Sequence, residues 1–178
     1  MVSLKASERS NPKGAHVDHH RLVNRLGLAG VLMLAFGLRV YGIGFGLPQL
    51  YYWDEPEILN RAVQVGGGDL NPHFFIYPTL YIYVLAFVSG FYFFLQRAIG
   101  NLHDVEQFAV EYFVDPSGVY LSARLATCLV GTACVLLMYH AGRELFGRTT
   151  GLLAALFLAV SALHSSFSVT THVVALAA

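Results

Sequence analysis

Charged residues are scarce in this sequence: Lys, Arg, Asp and Glu make up 12% of its 178 residues, against roughly 25% in an ordinary soluble domain. Hydrophobic residues reach 56%, which leaves too little polar surface to coat a water-soluble globule and excludes a soluble enzyme. Positive and negative charges cancel, so there is no basic excess for a phosphate backbone and no nucleic-acid partner is expected. Cysteine is nearly absent. Cys128 and Cys134 fall inside one apolar stretch, where they are expected to pack as small hydrophobes, and no Cys/His set has metal-ligand spacing.

What the sequence does contain is four apolar blocks. Leu26 to Leu47 carries Arg39 as its only charge, and Phe74 to Leu95 carries none. Leu125 to Ala141 is the third, and Gly151 to Ala178 the fourth, again without Lys, Arg, Asp or Glu. Blocks near twenty residues cross about 30 Å of hydrocarbon at ~1.5 Å per residue. The fold class is therefore all-α, a polytopic transmembrane helical protein. Residues 1–25, with Lys5, Arg9, Lys13, Arg21, Arg25, His16, His19 and His20, read as a disordered basic tail. Its positive charge places the N-terminus in the cytoplasm, and the absence of a small-residue cleavage pattern makes the first block a retained anchor in the cytoplasmic membrane.

Loop charge constrains the topology. Ala98 to Tyr120 carries Asp104, Glu106, Glu111 and Asp115 but no Lys or Arg, whereas Gly142 to Thr150 carries Arg143 and Arg148. Four full crossings put the first loop inside and the second outside, against the positive-inside rule. One block is therefore expected not to cross. Phe74 to Leu95, dense in Tyr and Phe, suits the headgroup layer and is expected to lie along or dip into the outer face.

The outer loop, residues 48–120, then holds the polar chemistry. Asp54 and Glu55 stand between Trp53 and Pro56, near the exit of the first helix. Partial desolvation there favours a general base, while a helix cap is the plainer role. Ile58, Leu59, Ala62 and Val63 mark one face of an interfacial helix that Gly66 to Gly68 ends. Arg39 and Arg124 either snorkel to headgroups or, beside the acids, hold a lipid-borne phosphate.

An arginine in the first helix, Asp54-Glu55 outside it, Gly68-Asp69-Leu70-Asn71-Pro72, Tyr77-Pro78-Thr79-Leu80, Arg124-Leu125 and Gly142-Arg143-Glu144-Leu145-Phe146-Gly147-Arg148 follow in order. This series resembles the protein O-mannosyltransferase-like superfamily, the GT-C membrane glycosyltransferases. The resemblance spans roughly residues 26–178 and implies a GT-C-like N-terminal module with juxtamembrane helices in its first outer loop. It implies a hexosyl or pentosyl transferase using a polyprenyl-phosphate-sugar donor, with membrane lipid around it and an acceptor of unspecified identity. By the same resemblance Asp54 is the base and Glu55 its partner, Arg124 contacts the donor phosphate, and Asn71, His73 and Tyr77 line the cavity. The second acidic residue common in the family is missing near Ser165 to His172, which leaves any divalent metal the resemblance implies without an assigned ligand set. The last apolar run reaches Ala178 without a polar exit, and the chain is expected to be the N-terminal part of a longer enzyme. The competing expectation is a non-catalytic transporter fragment or assembly subunit, but charges gathered at one membrane edge rather than mid-membrane weigh against a transporter.

Overall fold

The structure is a computed structural model that describes residues 12–49, 54–76 and 78–161. Those residues form six helices and no strand: α1 (Pro12–Val40), α2 (Asp54–Gly66), α3 (Thr79–Ile99), α4 (Val105–Val114), α5 (Ser117–Phe146) and α6 (Arg148–Val160). Three of them, α1 from Val23, α3 and α5, are long and apolar enough to cross a membrane, and α6 is shorter. Because α1 begins at Pro12, residues 12–25 of the expected tail are helical. The first apolar block also departs from expectation at its far end. Helix stops at Val40, and consecutive turns with positive φ at Gly42 and Gly46 carry the chain onward, because glycine adopts that conformation at no steric cost.

Local chemistry accounts for the helix ends. The buried residues Ile58, Leu59, Ala62 and Val65 recur on one face of α2, and Gly68 (φ 111°) follows its end, as the glycine run predicts. Gly100 closes α3 in the left-handed conformation, its N–H donating to the Arg97 and Gln96 carbonyls. Asp104 caps α4 by accepting the Gln107 N–H at 2.7 Å. α5 starts at Ser117, eight residues ahead of the apolar block, and its 30 residues extend about 45 Å.

α5 is the spine on which two cores assemble. Its C-terminal part packs Val135 and Tyr139 against Val31 and Ala35 of α1 and Ala155 and Ala159 of α6. Its N-terminal part packs Val119, Tyr120 and Ala123 against α2 and against Tyr81, Ile82 and Leu85 of α3. The contacts also set the register. Toward the C-terminal end of α1, Val31 and Ala35 lie with Val135, and the Arg39 carbonyl then accepts from Cys128 Sγ at 3.4 Å. α1 and α5 are thus antiparallel. Tyr81 Oη meets Thr127 Oγ1 at 2.8 Å, and the Tyr92 ring lies over Gly118. α3 therefore starts at the level where α1 ends and continues along the stretch of α5 that α1 does not reach.

The outward side of α3 is a stripe of Leu80, Tyr83, Phe87, Phe91 and Phe94, all exposed. α6 is the opposite case. Gly151, Ala155 and Ala159, spaced by four residues, are its buried side, and small residues let helix backbones approach closely.

Candidate functional site

Among the described residues the most densely bonded side chain is that of Arg124, on the side of α5 facing the C-terminal end of α1. Its Nε donates to Glu55 Oε1 at 2.8 Å and its Nη2 to Glu55 Oε2 at 2.7 Å, a two-pronged fit of guanidinium to carboxylate. Its Nη1 donates to the carbonyls of Ile43 at 2.7 Å and Phe45 at 2.9 Å. The glycine-rich turns after α1 explain those acceptors: unwinding the helix frees carbonyls that a continued helix engages itself. Both Arg124 and Glu55 are buried, so one side chain ties the exit of α1 and the start of α2 to α5.

This arrangement changes the roles that the sequence suggested. Arg124 does not snorkel, and all three of its nitrogens already donate within the protein, so it does not present an open fork to a phosphate. Both oxygens of Glu55 are held by that same guanidinium, which makes it the anchor of α2 rather than a second acid facing a substrate. Asp54 is the first residue of α2 and is placed through its neighbour's anchor. The side chain of Asp54 and the whole of Tyr77 lie outside the described residues.

Arg39 has the complementary character. It sits in the last turn of α1 and is fully buried, at 0% exposure. Nη1 donates to the Ala35 carbonyl at 2.7 Å, while Nε and Nη2 have no hydrogen-bond partner among the described residues. A buried guanidinium with idle donors is costly unless an anion meets it. Arg39 and Arg124 approach the same level of α5, because the Arg39 carbonyl bonds Cys128, one turn beyond Arg124.

Asn71 and His73 belong to a separate, exposed turn. Asp69 Oδ1 accepts the Asn71 N–H and Asn71 Oδ1 accepts the His73 N–H, each at 3.0 Å. His73 has φ 50°, and its Nε2 lies 3.0 Å from Asp69 Oδ2. The Asn71 backbone N–H, and after it the His73 side chain, hold the Asp69 carboxyl below its ordinary pKa. Tyr83 Oη donates to the Leu70 carbonyl at 2.8 Å and fastens the turn to α3. None of these bonds joins Asn71 or His73 to the Glu55–Arg124 pair. Among the described residues no three His, Cys, Asp or Glu side chains converge as metal ligands.

No family model, curated protein or solved structure matches this chain. Sequence reasoning placed the acids and both arginines at one edge, but it missed that two of the four bind each other. The signal was faint: a carboxylate and an arginine, each next to an apolar run, are as consistent with two separate surface groups.

Proposed function

We propose that this chain is a GT-C-type membrane glycosyltransferase module, which moves a sugar from a polyprenyl-phosphate donor to an envelope glycan, lipid or protein acceptor at the outer face of the membrane. The observation that carries this reading is the bidentate Glu55–Arg124 pair, because it sets the first residue of α2, Asp54, at the exit of a spanning helix whose last turn holds a buried arginine with idle donors. α1, α6 and the C-terminal part of α5 form the membrane bundle. α2, α3 and α4 sit on its outer side. The register of α3 beyond the end of α1 and its exposed aromatic stripe support a helix lodged at the outer interface.

In this reading Asp54 takes the proton from an acceptor hydroxyl or amine as that group attacks the anomeric carbon. The bond from that carbon to the lipid phosphate breaks with inversion, and negative charge collects on the departing phosphate. Arg39, rather than Arg124, answers that charge, since a guanidinium in a low-dielectric site stabilises a developing anion strongly. Any divalent metal would add a further counter-charge for the phosphate.

The test is transfer of radiolabelled sugar from polyprenyl-phosphate hexoses and pentoses in membranes containing the protein. Asp54→Asn is expected to lower turnover on the order of a hundredfold or more, the usual contribution of a positioned base, while the protein still inserts and accumulates. Unchanged turnover would leave Asp54 as the start of a helix with no part in the step, and no transfer above that of membranes lacking the protein would leave a non-catalytic assembly subunit. Arg39→Gln is expected to act differently, raising the KM for the donor as well as slowing the step, because it removes a charge that meets the phosphate before and during transfer. A KM equal to that of the unaltered protein rules out this role for Arg39.

A further inference from the structure

Away from the acid and arginine cluster, α2, α3 and α4 border an open cavity of about 670 Å³, within the size range of small-ligand sites. Its wall is chiefly apolar, from α2 residues such as Val63 to the rings of Phe93 and Phe108. Two polar groups in the wall already serve each other, since Tyr112 Oη donates to Asn60 Oδ1 at 2.6 Å. A third does not. Ser89 also lines the cavity, is only 3% exposed, and its Oγ has no hydrogen-bond partner among the described residues. Buried hydroxyls are nearly always bonded, and a helical serine has the carbonyl four residues back available to it. The lining's other polar side chain, Gln64, is exposed, so the buried hydroxyl without a partner among the described residues suits a ligand with a hydrogen-bond acceptor set in a hydrocarbon body.

The mouth indicates where such a ligand comes from. Phe94, Val105 and Phe113 belong both to the lining and to the exposed apolar surface, and Phe94 continues the stripe along α3. The cavity thus meets exposed apolar surface on its α3 and α4 side and the exposed Asn60, Gln64, Gly66 and Gly67 on its α2 side, and in a membrane setting the apolar side is the one a bilayer molecule would enter. We propose that it holds one acyl chain of a membrane phospholipid, with the ester carbonyl accepting from Ser89 Oγ. The proposal needs the membrane setting but not the glycosyl-transfer reading.

Gly90 offers a way to close the space, because a Cβ added there meets nothing within 4 Å. Ala109, on α4, offers another from the opposite wall. The protein in detergent is titrated with a trace phosphatidylcholine carrying a diazirine in mid-chain, then irradiated, digested and mapped by mass spectrometry. Saturable labelling of the Phe93–Phe94 and Phe108 peptides is expected, falling at least tenfold in Gly90→Leu and in Ala109→Phe. Labelling of the outward Phe87 position should persist in both. Ser89→Ala, which removes only the hydroxyl, is expected to weaken saturation about fivefold, the usual worth of one hydrogen bond. Labelling that never saturates, that survives both filling variants, or that ignores Ser89→Ala overturns the assignment. So does a diazirine-bearing polyprenyl phosphate that labels the cavity in preference to the phospholipid.

Discussion

Arg124→Ala is expected to cost about 3–5 kcal/mol of stability, the usual consequence of stranding one member of a buried ion pair. The substitution leaves the Glu55 carboxylate buried without its two donors and withdraws the Nη1 bonds to the Ile43 and Phe45 carbonyls. Three segments lose their shared tie together. Glu55→Gln is expected to be milder, because the amide oxygen still accepts one bond while the guanidinium loses its counter-charge. The double variant Glu55→Leu/Arg124→Met is expected to recover much of the loss, since two well-packed apolar side chains replace a buried pair at little net cost. Thermal unfolding in detergent and accumulation in membranes measure all three. If Arg124→Ala unfolds at the same temperature as the unaltered protein, the pair is not the anchor described here.

Gly151→Val is expected to destabilise the α5–α6 hairpin by about 1–3 kcal/mol, the range seen when extra carbon is forced into a packed interface. The reason lies in what a side chain would strike. A Cβ on Gly151 comes within 2.7 Å of both the Tyr139 carbonyl oxygen and the Arg143 nitrogen, and a Cβ on Gly142 within 2.9 Å of the Gly151 Cα. These are backbone atoms of α5 and α6, which move aside only if the helices separate. Separation also loosens Ala155 and Ala159, which share a core with Val135, Tyr139 and α1. Gly30→Ala and Gly37→Ala serve as controls. A Cβ at either position meets nothing within 4 Å, and replacing glycine inside a helix gains about 0.5–1 kcal/mol. Opposite shifts in unfolding temperature for the two kinds of substitution are the expected pattern. Equal shifts mean that the hairpin is not closely packed at Gly142 and Gly151.

Much of the helical plan is local and could be read in advance. Hydropathy located the apolar helices, the Ile58 to Val63 pattern located α2, and Gly66 to Gly68 located its end. Helix limits were less legible. Gly42, Gly44 and Gly46 sit inside an apolar run whose hydropathy is uninterrupted, so composition extends the first helix to Leu47 while backbone preference ends it at Val40. Ser117 to Arg124 was the reverse, a stretch too polar to count as apolar that nonetheless continues α5, because Val119, Tyr120 and Ala123 find a core on α2 and α3. The four-residue spacing of Gly151, Ala155 and Ala159 was open to inspection, but its meaning depends on the helix it faces.

Amino-acid order alone determined that this is an all-helical chain with apolar helices long enough for a membrane. Tertiary structure decided how the charges beside those helices pair. Glu55 and Arg124 stand 69 residues apart, and only the antiparallel packing of α1 and α5 brings the carboxylate, the guanidinium and the unwound carbonyls to one point. The same packing leaves Arg39 enclosed with two nitrogens that meet no partner among the described residues, and the meeting of α2, α3 and α4 leaves Ser89 facing a chiefly apolar cavity. Hydropathy and periodicity are sums over neighbours along the chain, whereas the partner of a buried polar group is set by whatever the fold carries to it from a distance.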